Sequence, residues 1–319
     1  MLGTPYTETA DMWSVGAIIF FLLGGYPPFQ ADNHKNLFRK IRAADYVFHE
    51  KYWKGISLQA KQIISVLLTV NTAERITAED SLEHAWLKAK EHVLRGNDLR
   101  QSLIGFKEFC ARRKLKGAAF AVSYAVSASF WNSTKVSFAH LSMRSTESAD
   151  SIGLDTKKEN TKSFKNHFKL LRKIKGGAFS TVWKAECLVT KKISAVKIIS
   201  RRNLTKNDDA QVLNEVSILQ SLKHKSIIQL IDFFEEKDKF YLVMEFLSGG
   251  DVFDRIVERN HYTEKDARDL TKTLLEGVEF LHTHTVVHRD LKPQNLLLTV
   301  SVIQDCRAAS LIAISKSYN

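Results

Sequence analysis

Three residues in the stretch LHTHTVVHRDLKPQNLLL, Leu281 to Leu298, have the types and spacing to do chemistry together. Asp290 is followed two residues later by Lys292 and five residues later by Asn295, with apolar segments on either side. The combination suits transfer of a phosphoryl group to a hydroxyl. Asp290 would orient the attacking hydroxyl and accept its proton, Lys292 would neutralise charge on the group in transit, and the Asn295 amide oxygen would hold a magnesium ion. The plain structural alternative is a charged turn between a helix and a short strand. The whole string His-Arg-Asp-Leu-Lys-Pro-x-Asn is too specific for that alternative to be preferred.

A loop of this kind needs elements that hold a phosphoryl donor opposite it. HFKLLRKI and TVWKAECLV read as strands flanking KGGAFS, and ISAVKIIS as a third strand. A glycine-rich turn between strands lets backbone N–H groups approach phosphate oxygens closely. Lys197 lies in the third strand. A helix from about Asp208 to Leu222 carries Glu215, and Val212, Val216 and Leu219 mark its buried side. IIQLIDFF and KFYLVMEF read as two more strands. Helices follow at DVFDRIVER and, after a Thr263/Asp266 capping box, at KDARDLTKTLLEGVEFLHTH, which leads into the loop.

Together these residues resemble a Ser/Thr protein kinase. The resemblance implies an α+β kinase-like fold, ATP and Mg²⁺ as cofactors, and protein Ser or Thr hydroxyls as substrates. It also implies roles for particular residues. Gly176, Gly177 and Ser180 would cover the phosphates, with Lys175 standing where the family has its first glycine. Lys197 would pair with Glu215 and reach the α- and β-phosphates. Glu245 and Leu247 would offer backbone groups to adenine, Met244 would border the pocket, Val182, Ala195 and Leu297 would sandwich the ring, and Asp251 would face the ribose. His288 would be structural, and Arg289 would meet a phosphorylated activation loop. After Leu298 the resemblance stops: TVSVIQDCRAASLIAISKSYN contains no Asp-Phe-Gly, and Asp305, followed by Cys306-Arg307, is not assigned the metal role.

Residues 1–90 precede all this and carry a different signature. TETADMWSVGAIIFFLLGGYPPF begins polar, becomes a helix apolar on all sides, and stops at Gly24-Gly25 and Pro27-Pro28. Such a helix belongs in a sizeable core. Asn36–Ala43 and Leu58–Leu68 have helical apolar spacing, and Thr77 with Asp80 makes a capping-box pattern. ADMWSVG, GGYPPF and NTAERITAEDSLEHAW resemble, in this order, the back half of a kinase C-lobe of the calcium/calmodulin-dependent group. By that resemblance Asp11 would hydrogen-bond the backbone of a catalytic loop. Arg75 would pair with the glutamate of an Ala-Pro-Glu motif that the sequence does not contain, leaving a buried charge without its partner.

Residues 91–125 mix Phe106, Phe109, Cys110, Leu115 and Phe120 with Lys107, Arg112, Arg113, Lys114 and Lys116, a basic amphipathic helix. Phe106, Cys110 and Leu115 are spaced to anchor in an apolar groove, and ARRKLKGA resembles the autoinhibitory, calmodulin-binding segment of the family. No calcium-loop spacing occurs, so calcium sensing would come through Ca²⁺/calmodulin as a partner. Residues 126–165 read as a flexible linker, 166–300 as a kinase N-lobe through the catalytic loop, and 301–319 as a tail unlike the family. The order is that of a stretch joining the end of one kinase domain to the start of another. The blocks 1–90 and 166–300 are complementary portions of one fold, which could also assemble as one domain in permuted order.

Composition adds limits. The 319 residues are 44% hydrophobic and 26% charged, ordinary for a globular protein, and the formal net charge is +12. Basic clusters suggest acidic partners, but no zinc-finger spacing or RNA-binding signature points to nucleic acid. Cys110, Cys187 and Cys306 lie too far apart in sequence for a disulfide framework or a paired metal motif, which fits the reducing cytoplasm, with the nucleus left open. The longest apolar run, Val15 to Leu23, is about half a membrane span.

Overall fold

In the computed structural model residues 7–112, 163–176, 180–298 and 310–312 are described. The smaller lobe is a five-stranded antiparallel sheet: β1 (Phe168–Gly176), β2 (Ser180–Cys187), β3 (Ile193–Ser200), β4 (Leu230–Glu236) and β5 (Lys239–Glu245), in the order β1-β2-β3-β5-β4. Alternation along β3 separates two faces. Val196 joins Phe164, Phe168, Ala185, Phe234 and Tyr241 in a small core on one face. Ile199, two positions beyond Lys197, joins Val212, Val216 and Leu219 of the helix Lys206–Ser221, together with Phe240 and Leu242, on the other.

That helix (α8, counting from the first helix below) starts from a reciprocal cap. The Thr205 hydroxyl accepts from the Asp208 amide at 3.2 Å, and the Asp208 carboxylate accepts from the Thr205 amide at 2.8 Å. The Thr205 amide, then its hydroxyl, hold the Asp208 carboxyl below the usual carboxylate range. Its stabilising contribution is therefore present above the ordinary Asp pKa and is lost as pH falls through the depressed one. Thr205→Ala is expected to cost about 1 kcal/mol, read as a lower urea midpoint; an unchanged midpoint would show that the cap does not hold this helix.

The larger lobe is helical and draws on both ends of the sequence. Its first half contributes α1 (Glu8–Gly24), α2 (His34–Arg42), α3 (Glu50–Trp53), α4 (Leu58–Leu67), α5 (Ala78–Glu83), α6 (Glu91–Arg95) and α7, a helix through residues 100–112. After the sheet come β6 (Gly250–Asp251), α9 (Val252–Val257), α10 (Glu264–Thr283) and β7 (Leu296–Leu298). One continuous core holds Met12, Ile19, Phe20, Trp53, Ile64, Trp86 and Phe106 from the first half with Phe253, Leu274, Val278 and Leu296 from the second. The two halves, far apart in sequence, thus share one interior. Strand β8 (Ser310–Ile312) runs antiparallel to β7, with Leu297 opposite Leu311, so the tail beyond residue 300 supplies a strand next to the catalytic loop.

The helix over 8–24 ends where its glycines predict. Gly25 sits at φ 76° and its amide returns to the Phe21 carbonyl, a left-handed helix terminus. Helix α7 crosses α1 there: a Cβ on Gly25 would lie 2.3 Å from the Ser102 carbonyl oxygen, and the Ser102 hydroxyl donates to the Leu23 carbonyl. Only a glycine permits that approach.

Candidate functional site

The loop that carries Asp290 is held from below by Asp11, buried near the start of α1. Its Oδ2 accepts from the His288 amide at 2.7 Å and contacts His282 Nε2 at 3.1 Å, while Oδ1 accepts from the Arg289 amide at 2.9 Å. Arg289 has φ 67°, a left-handed conformation that costs a non-glycine residue of order 1 kcal/mol and is fixed by this acceptor. The next amide, that of Asp290, donates to His288 Nδ1 at 3.2 Å, so the ring of a buried histidine extends the same support.

Above this base three side chains meet. Lys292 Nζ donates to both carboxylate oxygens of Asp290, at 2.8 and 2.6 Å. Asn295 Nδ2 donates to the Asp290 carbonyl at 2.7 Å and to its carboxylate at 3.2 Å. Asp290 is partly exposed and Lys292 exposed, whereas Asn295 is buried. The carboxylate is thus oriented by two donors and faces the surface, which is the geometry a proton acceptor for an incoming hydroxyl needs.

In the sheet, Lys197 Nζ lies 3.7 Å from a Glu215 carboxylate oxygen, with both side chains almost wholly buried. The Lys197 ammonium makes no hydrogen bond. A buried cation short of partners is costly to leave so and is suited to receive an anionic oxygen. Pairing places Val182 opposite Lys197 and Ala195 opposite Met244, so these four stand on the same face. Val182, Ala195 and Met244 are half-buried, as are Glu245, Leu247 and Leu297. Asp251 caps α9 through its carboxylate, which accepts from the Phe253 amide at 2.8 Å, and stands opposite Leu297 in the β6–β7 pair. Gly176 ends β1 and Ser180 begins β2; Gly177 lies outside the described residues.

A triphosphate nucleotide fits this face, on the strength of the buried Lys197 ammonium, which faces Glu215 at 3.7 Å and makes no hydrogen bond. The fit for magnesium is incomplete. Among the described residues no group of three His, Cys, Asp or Glu side chains is placed to hold a metal, and Asn295 is the single candidate ligand there. Asp305 lies outside the described residues.

Arg75 corrects the expectation of an unpartnered buried charge. Its guanidinium donates to the Thr69 carbonyl at 2.9 and 2.8 Å and to the Thr9 carbonyl at 2.6 Å, and it lies over the Trp13 ring. Carbonyls at the end of α4 and the start of α1 take the place of a carboxylate, although burial still draws the pKa below the usual guanidinium value.

The anchors proposed for a groove are likewise already housed. Phe106 is buried against Phe21, Phe253 and Tyr262, and Cys110 is buried in the same core. Arg112 is exposed and faces Glu108 at 3.9 Å. Arg113, Lys114 and Leu115 lie outside the described residues.

Two residues went unnoticed in the sequence. His282, the first His of LHTH, touches Asp11 from α10. Glu264, in the first turn of α10, reads as a simple helix-dipole complement, yet it is completely buried and joins three distant segments.

Comparison with known proteins agrees with this geometry. The family described as "Protein kinase domain" matches residues 1–87 and 168–306, well over half of the chain. The sequence is similar to calcium/calmodulin-dependent protein kinase type 1 of Macrobrachium nipponense, 46% identical over 38% of this chain and 35% of that protein. It is similar to calcium/calmodulin-dependent protein kinase cmkA of Emericella nidulans, 43% identical over 42% of this chain and 31% of that protein. Myosin light chain kinase A of Dictyostelium discoideum is 45% identical over 38% of this chain and 41% of that protein. The chain spans roughly a third of the length of these relatives. With its loop, lysine–glutamate pair and two-lobed architecture, the chain belongs to the protein kinase domain family.

Proposed function

We propose that this chain binds ATP on the face carrying Lys197 and phosphorylates Ser or Thr hydroxyls of proteins, at a rate lowered because its sequence holds no Asp-Phe-Gly or Ala-Pro-Glu segment. The observation that carries the reading is the loop held by Asp11, with Asp290 fixed between Lys292 and Asn295. Asp290 orients the acceptor hydroxyl and takes its proton at a carboxylate oxygen, and Lys292 moves its charge toward the departing oxygens as that proton arrives. Lys197, aimed by Glu215, holds the phosphate chain in line. Bound ATP supplies the phosphoryl group. Weaker charge neutralisation around it costs several kcal/mol, hence orders of magnitude in rate.

The deciding assay follows transfer of labelled γ-phosphate to a Ser/Thr peptide mixture, with the Asp290→Asn chain alongside. Incorporation above that variant supports the reading; incorporation equal to it leaves an ATP-binding pseudokinase as the function of the fold.

Calmodulin binding is a second reading. It is favoured by the run Ala111–Lys116, ARRKLK, continuous with α7, and by similarity to kinases named for calmodulin dependence. Because Phe106 and Cys110 are buried, calmodulin would take the segment beyond residue 112 or first peel α7 from α1. A Ca²⁺-dependent complex with the full chain supports this reading, and a complex indifferent to chelator counts against it. The cytoplasm is the compartment proposed with both readings.

A further inference from the structure

We propose that Lys175 is a second cation of the phosphate subsite, binding the anionic chain of a nucleoside di- or triphosphate from the opposite side to Lys197; this rests on the ATP reading above. The argument is one of register. Lys175 is opposite Val182, Val182 is opposite Lys197, and Lys197 is opposite Leu242, so the four form one row across the sheet. Residues directly opposite in an antiparallel pair share a face. At ~4.8 Å per strand the two lysine backbones stand roughly 10 Å apart, on the same face and at the same level along the strands.

A bulge produces this arrangement. Lys173 is opposite Trp183 and Lys175 opposite Val182, so β1 spends two steps where β2 spends one. Without the extra residue Ile174 would face the row; with it, Lys175 does. Lys173 is left on the other face, where its Nζ lies 2.9 Å from the position of a Cβ on Gly176. Lys184 shares the face of Lys175 but is engaged over the Phe246 ring. Lys175 is exposed, and its side chain makes no ion pair or hydrogen bond among the described residues. It stands one residue before Gly176, where the glycine-rich stretch begins. A charged residue where a phosphate loop ordinarily has glycine thus acquires a use: it supplies fixed positive charge in a chain whose described metal ligands are few.

The bulge also provides a matched control, since Lys173 carries the same charge two residues away on the opposite face. Binding of ATP and of adenosine to the full chain would be measured by calorimetry, in chelator and at low salt, so that protein charge alone meets the phosphates. Lys175→Met is expected to weaken ATP binding about fivefold, the upper range for one exposed charge pair, and to leave adenosine binding unchanged. Lys173→Met is expected to change neither. Equal losses in the two variants, or no loss in Lys175→Met while the parent chain binds ATP, would overturn the role of Lys175 and leave the nucleotide reading intact. Failure of the parent chain to bind ATP would overturn both. Thermal unfolding of each variant, unchanged for exposed lysines, separates these results from loss of fold.

Discussion

Glu264→Ala is expected to destabilise the larger lobe by about 4 kcal/mol, although the side chain plays no part in the chemistry. Glu264 is completely buried. Its Oε2 accepts from the Ser57 amide at 3.0 Å and from Asn97 Nδ2 at 2.7 Å, and its Oε1 accepts from Trp86 Nε1 at 2.8 Å and from the Ser57 hydroxyl. Truncation leaves donors from three segments of the first half facing an empty site, and each unsatisfied buried donor costs about 1–3 kcal/mol. Glu264→Gln keeps the shape and one acceptor oxygen but turns an amide N–H₂ toward donors, so its loss should be smaller but in the same direction. Urea unfolding monitored by tryptophan fluorescence measures both, since Trp53 and Trp86 lie in the affected core. A change below 1 kcal/mol for the alanine variant would mean that the two halves do not depend on this carboxylate.

The second large effect is expected at Asp11. Asp11→Ala removes the acceptor for the His288 and Arg289 amides and the contact with His282. The left-handed backbone of Arg289 then loses its amide acceptor, and the loop that carries Asp290 relaxes. A loss of about 3 kcal/mol in local stability corresponds to roughly hundredfold faster amide exchange across residues 286–292. Mass-spectrometric exchange reads this directly, with the β2–β3 peptide as an internal reference that should not move. Unchanged exchange at 286–292 would show that the loop is held by other contacts. Asp11→Asn should be nearly as damaging, because the two amides are held by different oxygens, and turning either into N–H₂ sets a donor against a donor.

Much of this was legible from local signals. The α1 terminus at Gly24-Gly25, the Thr263/Asp266 box and the strands around Lys197 follow from punctuation and period alone, and the structure has them. The motif around Asp290 named the family before any fold was seen. What stayed hidden was non-local. Whether Arg75 finds a partner depends on carbonyls of residues 9 and 69 turning inward, which no spacing encodes. Phe106 and Cys110 were read as free anchors because an amphipathic helix looks the same whether its apolar stripe awaits a partner or already has one; Gly25 and Gly105, which let α7 close on α1, carried that information. Glu264 resembled any acidic residue in a first helical turn.

The shared interior of the two halves has a consequence for synthesis. Asp11 and the His288 amide it anchors are separated by 277 residues. At ~5–20 residues per second, a ribosome would take roughly 15–55 s to deliver the second after the first. Throughout that interval α1, with Val15, Ile19, Phe20 and Leu23 destined for full burial, has emerged without the α9 and α10 surfaces that complete its core. An all-round apolar helix waiting so long is a natural client for a holding chaperone. The yield of folded protein should therefore respond more steeply to translation rate and chaperone supply than its final stability would suggest.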